Sequence, residues 1–337
     1  MRIIYPNEQQ VFAIVQAMYA VASARGRISL LPVEQESIDA MQRHLLHQAT
    51  PLPVPASMAL PPDLAQTIPD PVMRTQLVRM LAMLPVLDQQ VLAEKAAVVE
   101  EAAAQLAVHD LGLKLLRQGV KRQFRRMAFG LMGRSVAFYW SPTGKARLRD
   151  WLDMLRIMMP KVPGLYELMT DTRLLKKYTE LKAYPAETLG HHLYSFYTRH
   201  GFPLPGEPKS FPEGWAKHEI YHIISEYEAT DQGEMLNAAF SGGNTEVLCM
   251  DLLMLTLLQF QAGFQIMPGP APKGALQPDA FFRAVARGAA TNVDLLNGWD
   301  LWTVVAMPLE ELRRRFEVPS LREDERVILK QWNALMV

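Results

Sequence analysis

His218 and His222 stand four residues apart, Glu219 lies between them, and eleven residues separate His222 from Glu234. Residues four apart on a helix are rotated by only about 40° and stacked about 6 Å from one another, so both imidazoles can reach one ion. Glu219 follows His218 directly, as in the His-Glu-x-x-His pattern of zinc peptidases, where the glutamate is general base to a metal-bound water. The stretch Thr230-Asp231-Gln232-Gly233 reads as a helix break, which lets Glu234 return as a carboxylate ligand near the start of the next helix. Two imidazoles with one or two carboxylates suit zinc, iron or manganese. The alternative is a pair of core-edge histidines bonded to carbonyls, on a helix that also carries Ile220, Tyr221, Ile223 and Ile224.

The elements that must position these residues are helical. Val11, Ile14, Val15, Met18 and Ala22 share one helical face, and Leu77, Met80, Leu81 and Leu84 share another. Between them Thr50 to Pro71 holds seven prolines and reads as an extended loop. Helical segments follow around Leu152 to Lys182, then a punctuated stretch from Gly201 to Pro208, the histidine helix, a second proline-rich loop from Met267 to Pro278, and last helices over Asp279 to Leu335. Strand signals are scarce, so the expected class is all-α.

The chain has 337 residues, enough for about two domains. Hydrophobic residues make up 49% and charged residues 21%, which predicts a folded chain rather than disorder. Net charge is zero and no basic-aromatic interleaving appears, which speaks against nucleic-acid binding. Cys249, the one cysteine, sits among Leu248, Met250 and Leu252 and reads as a buried inert thiol in a reducing, cytoplasmic compartment. Asn7, Glu8, Gln9 and Gln10 precede the apolar run Val11 to Ala24 where a signal peptide needs positive charge, so a helix is expected there. Val247 to Met267 contains Asp251, Gln259 and Gln261 and cannot span a membrane.

The first 110 residues look like a duplicated helical hairpin. Tyr19 to Ile28, followed by Glu34 and Glu36, is echoed by Met83 to Val91, followed by Glu94. This arrangement resembles the TerB-like domain of tellurite-resistance proteins, whose turns carry an acid, a glycine and a downstream glutamate able to bind a cation. Asp88 and Glu94 fit the second turn, whereas Arg25 replaces the first acid and Gln89 the glycine. The preferred reading is a helical docking or scaffolding domain over residues 1–112.

A connecting region, 113–159, comes next. From Leu111 to Arg149 there is no acidic residue, while Lys114, Arg117, Lys121, Arg122, Arg125, Arg126, Arg134, Lys145, Arg147 and Arg149 are basic. Leu113, Leu116, Val120 and Phe124 lie near one helical face, and an apolar stretch runs from Met127 to Trp140. A helix lying on an anionic bilayer through residues 114–140 is one reading; a solvated basic face over a core is the other.

Residues 160–337 form the last expected domain. The run Trp215 to His222, eleven residues and then Glu234 resembles the family of the fourth Coq protein of ubiquinone biosynthesis, marked by His-Asp-x-x-His, eleven residues and Glu. Pro185, Thr188-Leu189-Gly190 and Tyr194 upstream extend the likeness, as do Gly288, Trp299-Asp300 and Pro308 to Arg313 downstream. The resemblance implies a helical, zinc-binding protein, peripheral on the inner face of the membrane, that acts on a prenylated quinone precursor by oxidative decarboxylation. It implies His218, His222 and Glu234 as metal ligands, with Glu219 at the family's aspartate position. One extra methylene moves that carboxylate by about 1.5 Å, which makes Glu219 a more distant ligand or a catalytic base working through water.

Zinc has no redox chemistry, so electron removal calls on dioxygen, the electron-rich ring or another metal; iron fits the same ligands. Met250, Leu252, Met254, Leu257, Leu258 and Phe264 are candidates for an isoprenoid groove or for an ordinary core helix. Three functions compete: a metal-dependent decarboxylase of ubiquinone-like or specialised natural-product synthesis, a scaffold that presents a prenylated lipid to partner enzymes, and a metallopeptidase. The last is weakest, because peptidase folds place a strand beside the zinc helix.

Overall fold

The computed structural model describes residues 1–140, 146–148, 150–152, 170–208, 210, 213–266, 271–297 and 299–335. Among them every regular element is a helix, and extended pairing is confined to two isolated bridges, Thr188 with Pro308 and Ala262 with Lys273. The all-α expectation holds. By internal contacts the chain divides into two compact units, Met1–Phe129 with Ala238–Ala289, and Gly130–Asn237 with Ala290–Val337. Within the first unit the helix Cys249–Thr256 packs on the helix Leu111–Val120, so closely that a Cβ on Gly112 would lie 2.7 Å from the Met250 methyl.

Capping and periodicity build the first unit. Asn7 accepts the Gln10 amide while the Gln10 side chain accepts the Asn7 amide, a reciprocal cap that starts the helix Glu8–Ala22. Its face Val11, Ile14, Val15, Met18 and Ala22 is buried, as are Leu77, Met80, Leu81 and Leu84. The stretch Thr50 to Pro71 is not wholly loop. It contains the single-turn helix Leu64–Thr67, and Pro71 opens the helix Pro71–Met83, where a missing amide hydrogen costs nothing and Asp70 caps the free amides of Val72 and Met73.

The acid of the second hairpin turn is paired with a buried ammonium. Asp88 lies with Glu34 around the ammonium of Lys95, and the three side chains are at most 4% exposed. Lys95 is 2.9 Å from Asp88 and also hydrogen-bonds Glu34, while Glu94 faces solvent. Two amides, of Gln90 and Val91, donate to Asp88, and the Leu31 amide donates to Glu34. Burial raises the Glu34 carboxyl above its usual range against the pull of Lys95.

The apolar residues of the basic segment turn inward and most of its cations turn outward. Leu113, Leu116, Met127, Leu131, Met132 and Val136 are buried in protein contacts. Lys114, Lys121, Arg122, Arg125 and Arg126 are exposed, and so is Phe129 at 69%. Lys145 and Arg149 lie outside the described residues. Met250, Met254, Leu257 and Leu258 belong to the core of the first unit, with Leu252 and Phe264 half-buried. Cys249 is free and fully buried, which pushes its thiol up.

The second unit contains the helices Thr172–Thr179, Leu189–Arg199, Ala216–Ser225, Leu301–Val304, Leu309–Arg315 and Glu323–Leu335. Thr188 caps the second of these, and the amides of Leu189 and Gly190 bond the carbonyls of Met307 and Val305. Of the helical segments expected around Leu152 to Lys182, positions 153–169 lie outside the described residues, as do 267–270 of the second proline-rich loop. Among the described residues no helix is long and apolar enough to cross a membrane.

Candidate metal centre

The helix Ala216–Ser225 buries Ile220, Tyr221 and Ile224 on one side and carries His218 and His222. It ends at Glu226, whose φ of 67° is left-handed, and the chain turns so that the Tyr227 carbonyl meets His222 Nδ1 at 2.8 Å. The next helix, Asp231–Asn244, begins earlier than the sequence pattern suggests. Gly233 therefore lies in its first turn rather than in a break. A Cβ there would stand 1.7 Å from the Glu228 carbonyl oxygen, so glycine is needed for close approach. Glu234 comes directly after it and faces the histidines.

His218 Nε2 lies 3.2 Å from His222 Nε2 and 3.2 Å from Glu234 Oε2, and His222 Nε2 lies 3.3 Å from Glu234 Oε1. Three donors at this spacing leave between them a point roughly 2 Å from each, which is the usual zinc–nitrogen and zinc–oxygen length. A carbonyl can only accept, so His222 Nδ1 carries the hydrogen and its Nε2 lone pair points at the other two donors. The side chain of His222 is fully buried, His218 is 25% exposed and Glu234 is 37% exposed, so the cluster opens toward solvent on one side.

The electrostatics suit a cation. Burial opposes charge on His218, but the Glu234 carboxylate, and Glu219 beyond it, overcome this and hold the imidazolium up to about 9. Glu234 also resists burial, and the two histidines hold its carboxyl well below the usual carboxylate range. Without a metal, the proton on His218 serves as the cation of the cluster.

Of the four expected site residues the structure brings together His218, His222 and Glu234. Glu219 is 5% exposed and lies one helical position from His218, outside the converging donors. Burial raises its carboxyl, and it acts on the site by charge. His191 is bonded through Nδ1 to the Tyr184 carbonyl at 3.1 Å, and His200 stacks on Phe202 with ring centroids 5.5 Å apart; neither joins the cluster. Two aromatic rings flank the histidines. Phe196 stacks on His222 at 5.6 Å between centroids, and Trp215 lies against His218 at 5.5 Å. Trp215 stands in the motif itself, while Phe196 belongs to the separate helix Leu189–Arg199, which no local spacing rule ties to the site.

The chain matches no protein-family model, no curated protein and no solved structure.

Proposed function

We propose that His218, His222 and Glu234 hold a divalent ion, zinc first and iron or manganese next, at the catalytic centre of an enzyme of ubiquinone-like biosynthesis. The observation that carries this reading is the convergence of two imidazole nitrogens and a carboxylate, with one imidazole fixed in the metal-binding tautomer by the Tyr227 carbonyl. The substrate class is a prenylated or related hydrophobic aromatic acid, and the reaction is its decarboxylation. Its support is the spaced motif around His218 and Glu234, together with the aromatic faces of Phe196 and Trp215 beside the donors.

His218, His222 and Glu234 would hold the ion with three protein donors, the number found in catalytic rather than structural zinc sites. An ion held there would supply Lewis acidity toward a phenolate or carboxylate. Glu219, buried one helical position from His218, is the acid–base group beside the site, and burial raises its carboxyl. Turnover of a prenylated hydroxybenzoate under air, with the native chain and with Glu219→Gln, tests the reading. Product is expected from the native chain and little from the variant; no product from a fully metal-loaded native chain overturns it.

A second feature supports placement at an anionic membrane surface. Arg125, Arg126 and Phe129 share a stripe of the helix Phe124–Ser135, and all three are exposed beside Lys121 and Arg122. Each such cation adds about 1 kcal/mol near anionic lipid. Co-sedimentation with phosphatidylserine vesicles but not phosphatidylcholine vesicles, lost in Arg125→Glu/Arg126→Glu, is the expected result. This also serves the scaffold reading, in which the protein presents a prenylated lipid without turning it over.

A further inference from the structure

We infer that Arg313 is a positioning residue of the metal centre that acts on His222 through the turn closing the histidine helix; the inference rests on the metal reading above. The last carbonyls of an α-helix have no partner within the helix. Here two of them are taken by one side chain: Arg313 Nη2 donates to the Ile223 carbonyl at 2.6 Å and Nε to the Ile224 carbonyl at 3.1 Å. A guanidinium at this end also meets the negative pole of the helix. The Arg313 side chain is only 15% exposed, and Glu310 on the same short helix Leu309–Arg315 takes its remaining arm.

The turn beyond the clamped carbonyls determines the tautomer of His222. Glu226 is left-handed, a conformation that ordinary residues disfavour, and Arg326 holds its carboxylate at 3.0 Å. This left-handed step delivers the Tyr227 carbonyl to His222 Nδ1. The buried ligand thus takes its orientation from a backbone carbonyl, whose place depends on a helix end fixed by Arg313. His222 is also the least exposed of the three donors and stacks on Phe196, so burial and stacking restrict how its ring can follow a shift of this carbonyl. Lysine is a point donor and cannot reproduce the two-pronged contact.

The test uses the full chain as native protein, Arg313→Gln, Arg313→Lys and His222→Ala, with zinc affinity read by competition with a chromophoric chelator. In parallel, the His222 ring tautomer is read by nitrogen-15 NMR on metal-free protein. Outer-shell partners of metal ligands are worth about 10- to 100-fold in affinity. Arg313→Gln is expected to lose that much zinc affinity and to mix the His222 tautomers, with Arg313→Lys between it and the native chain. A folded Arg313→Gln with native zinc affinity and an Nδ1-protonated His222 overturns the inference. If that variant does not fold, the same result in Arg313→Lys overturns it. His222→Ala separates the two claims: zinc retained there sinks the metal reading, while zinc lost there but kept in both Arg313 variants sinks this inference alone.

Discussion

Each unit of the protein has a buried charge cluster, and the two are built on opposite plans. Glu34, Asp88 and Lys95 carry their own cation, an ammonium tethered to the chain and shut away from water. His218, His222 and Glu234 have three convergent donors and no fixed cation; a proton on His218 stands where an ion could, and the site is partly open. The first is finished when the chain folds. The second is open on one side, so a cation can reach it from solvent, which a metal site requires.

Removing a donor from the open cluster is expected to have the largest effect. His222→Ala should lower zinc affinity by roughly four orders of magnitude, about 5.5 kcal/mol, read by elemental analysis and chelator competition. Full zinc occupancy in both His222→Ala and His218→Ala would end the comparison. Removing the cation from the closed cluster comes next. Lys95→Met leaves two buried carboxylates unpaired and should cost about 3–5 kcal/mol in urea unfolding. Adding Glu34→Gln and Asp88→Asn should return most of that loss, and a triple variant no better than Lys95→Met would show that packing rather than charge is at stake.

The difference between the clusters bears on what could be read from the chain. The open cluster was legible because three of its residues obey one local rule, four-residue helical spacing plus a short return. Glu219 stands outside the converging donors because the neighbouring position on a helix points about 100° away. The closed cluster was half legible. Asp88 stood out at a hairpin turn, but Glu34 and Lys95 belong to two different helices, and no spacing rule joins residues 61 positions apart. The helical faces from Val11 to Ala22 and Leu77 to Leu84 followed from periodicity. The joining of Cys249–Thr256 to the first unit rests on a nonlocal packing surface at Gly112 that a one-dimensional pattern does not encode.

A smaller effect separates the two clusters by pH. His218 is raised from an ordinary value of about 6.5 to about 9 in the metal-free fold. Its pairing with Glu234 therefore stabilises the metal-free protein fully below about pH 6.5 and is lost as pH rises through about 9. Zinc competes with that proton, so affinity should rise about tenfold, or about 1.4 kcal/mol, per pH unit toward 9 and then level off. Calorimetry in two buffers of different ionisation enthalpy should find about one proton released per ion near neutral pH. No proton release there would place the proton elsewhere and remove the contrast with Lys95, whose cation cannot be exchanged.

The smallest expected effect isolates burial as the cause. Arg25 and Glu101 form an ion pair in the same unit as Lys95, but their side chains are 39% and 48% exposed. Water already solvates both partners, so little desolvation accompanies pairing, and the long side chains lose entropy to meet. Arg25→Ala should therefore cost no more than about 0.5 kcal/mol in urea unfolding, and that loss should vanish at high salt. Arg25 also has a φ of 62°, a left-handed turn position, so Arg25→Gly relieves backbone strain as it removes the charge. The glycine variant should thus be at least as stable as Arg25→Ala. If Arg25→Ala instead approached the loss seen in Lys95→Met, charge pairing would matter in this unit regardless of exposure, and the closed cluster would lose its distinction.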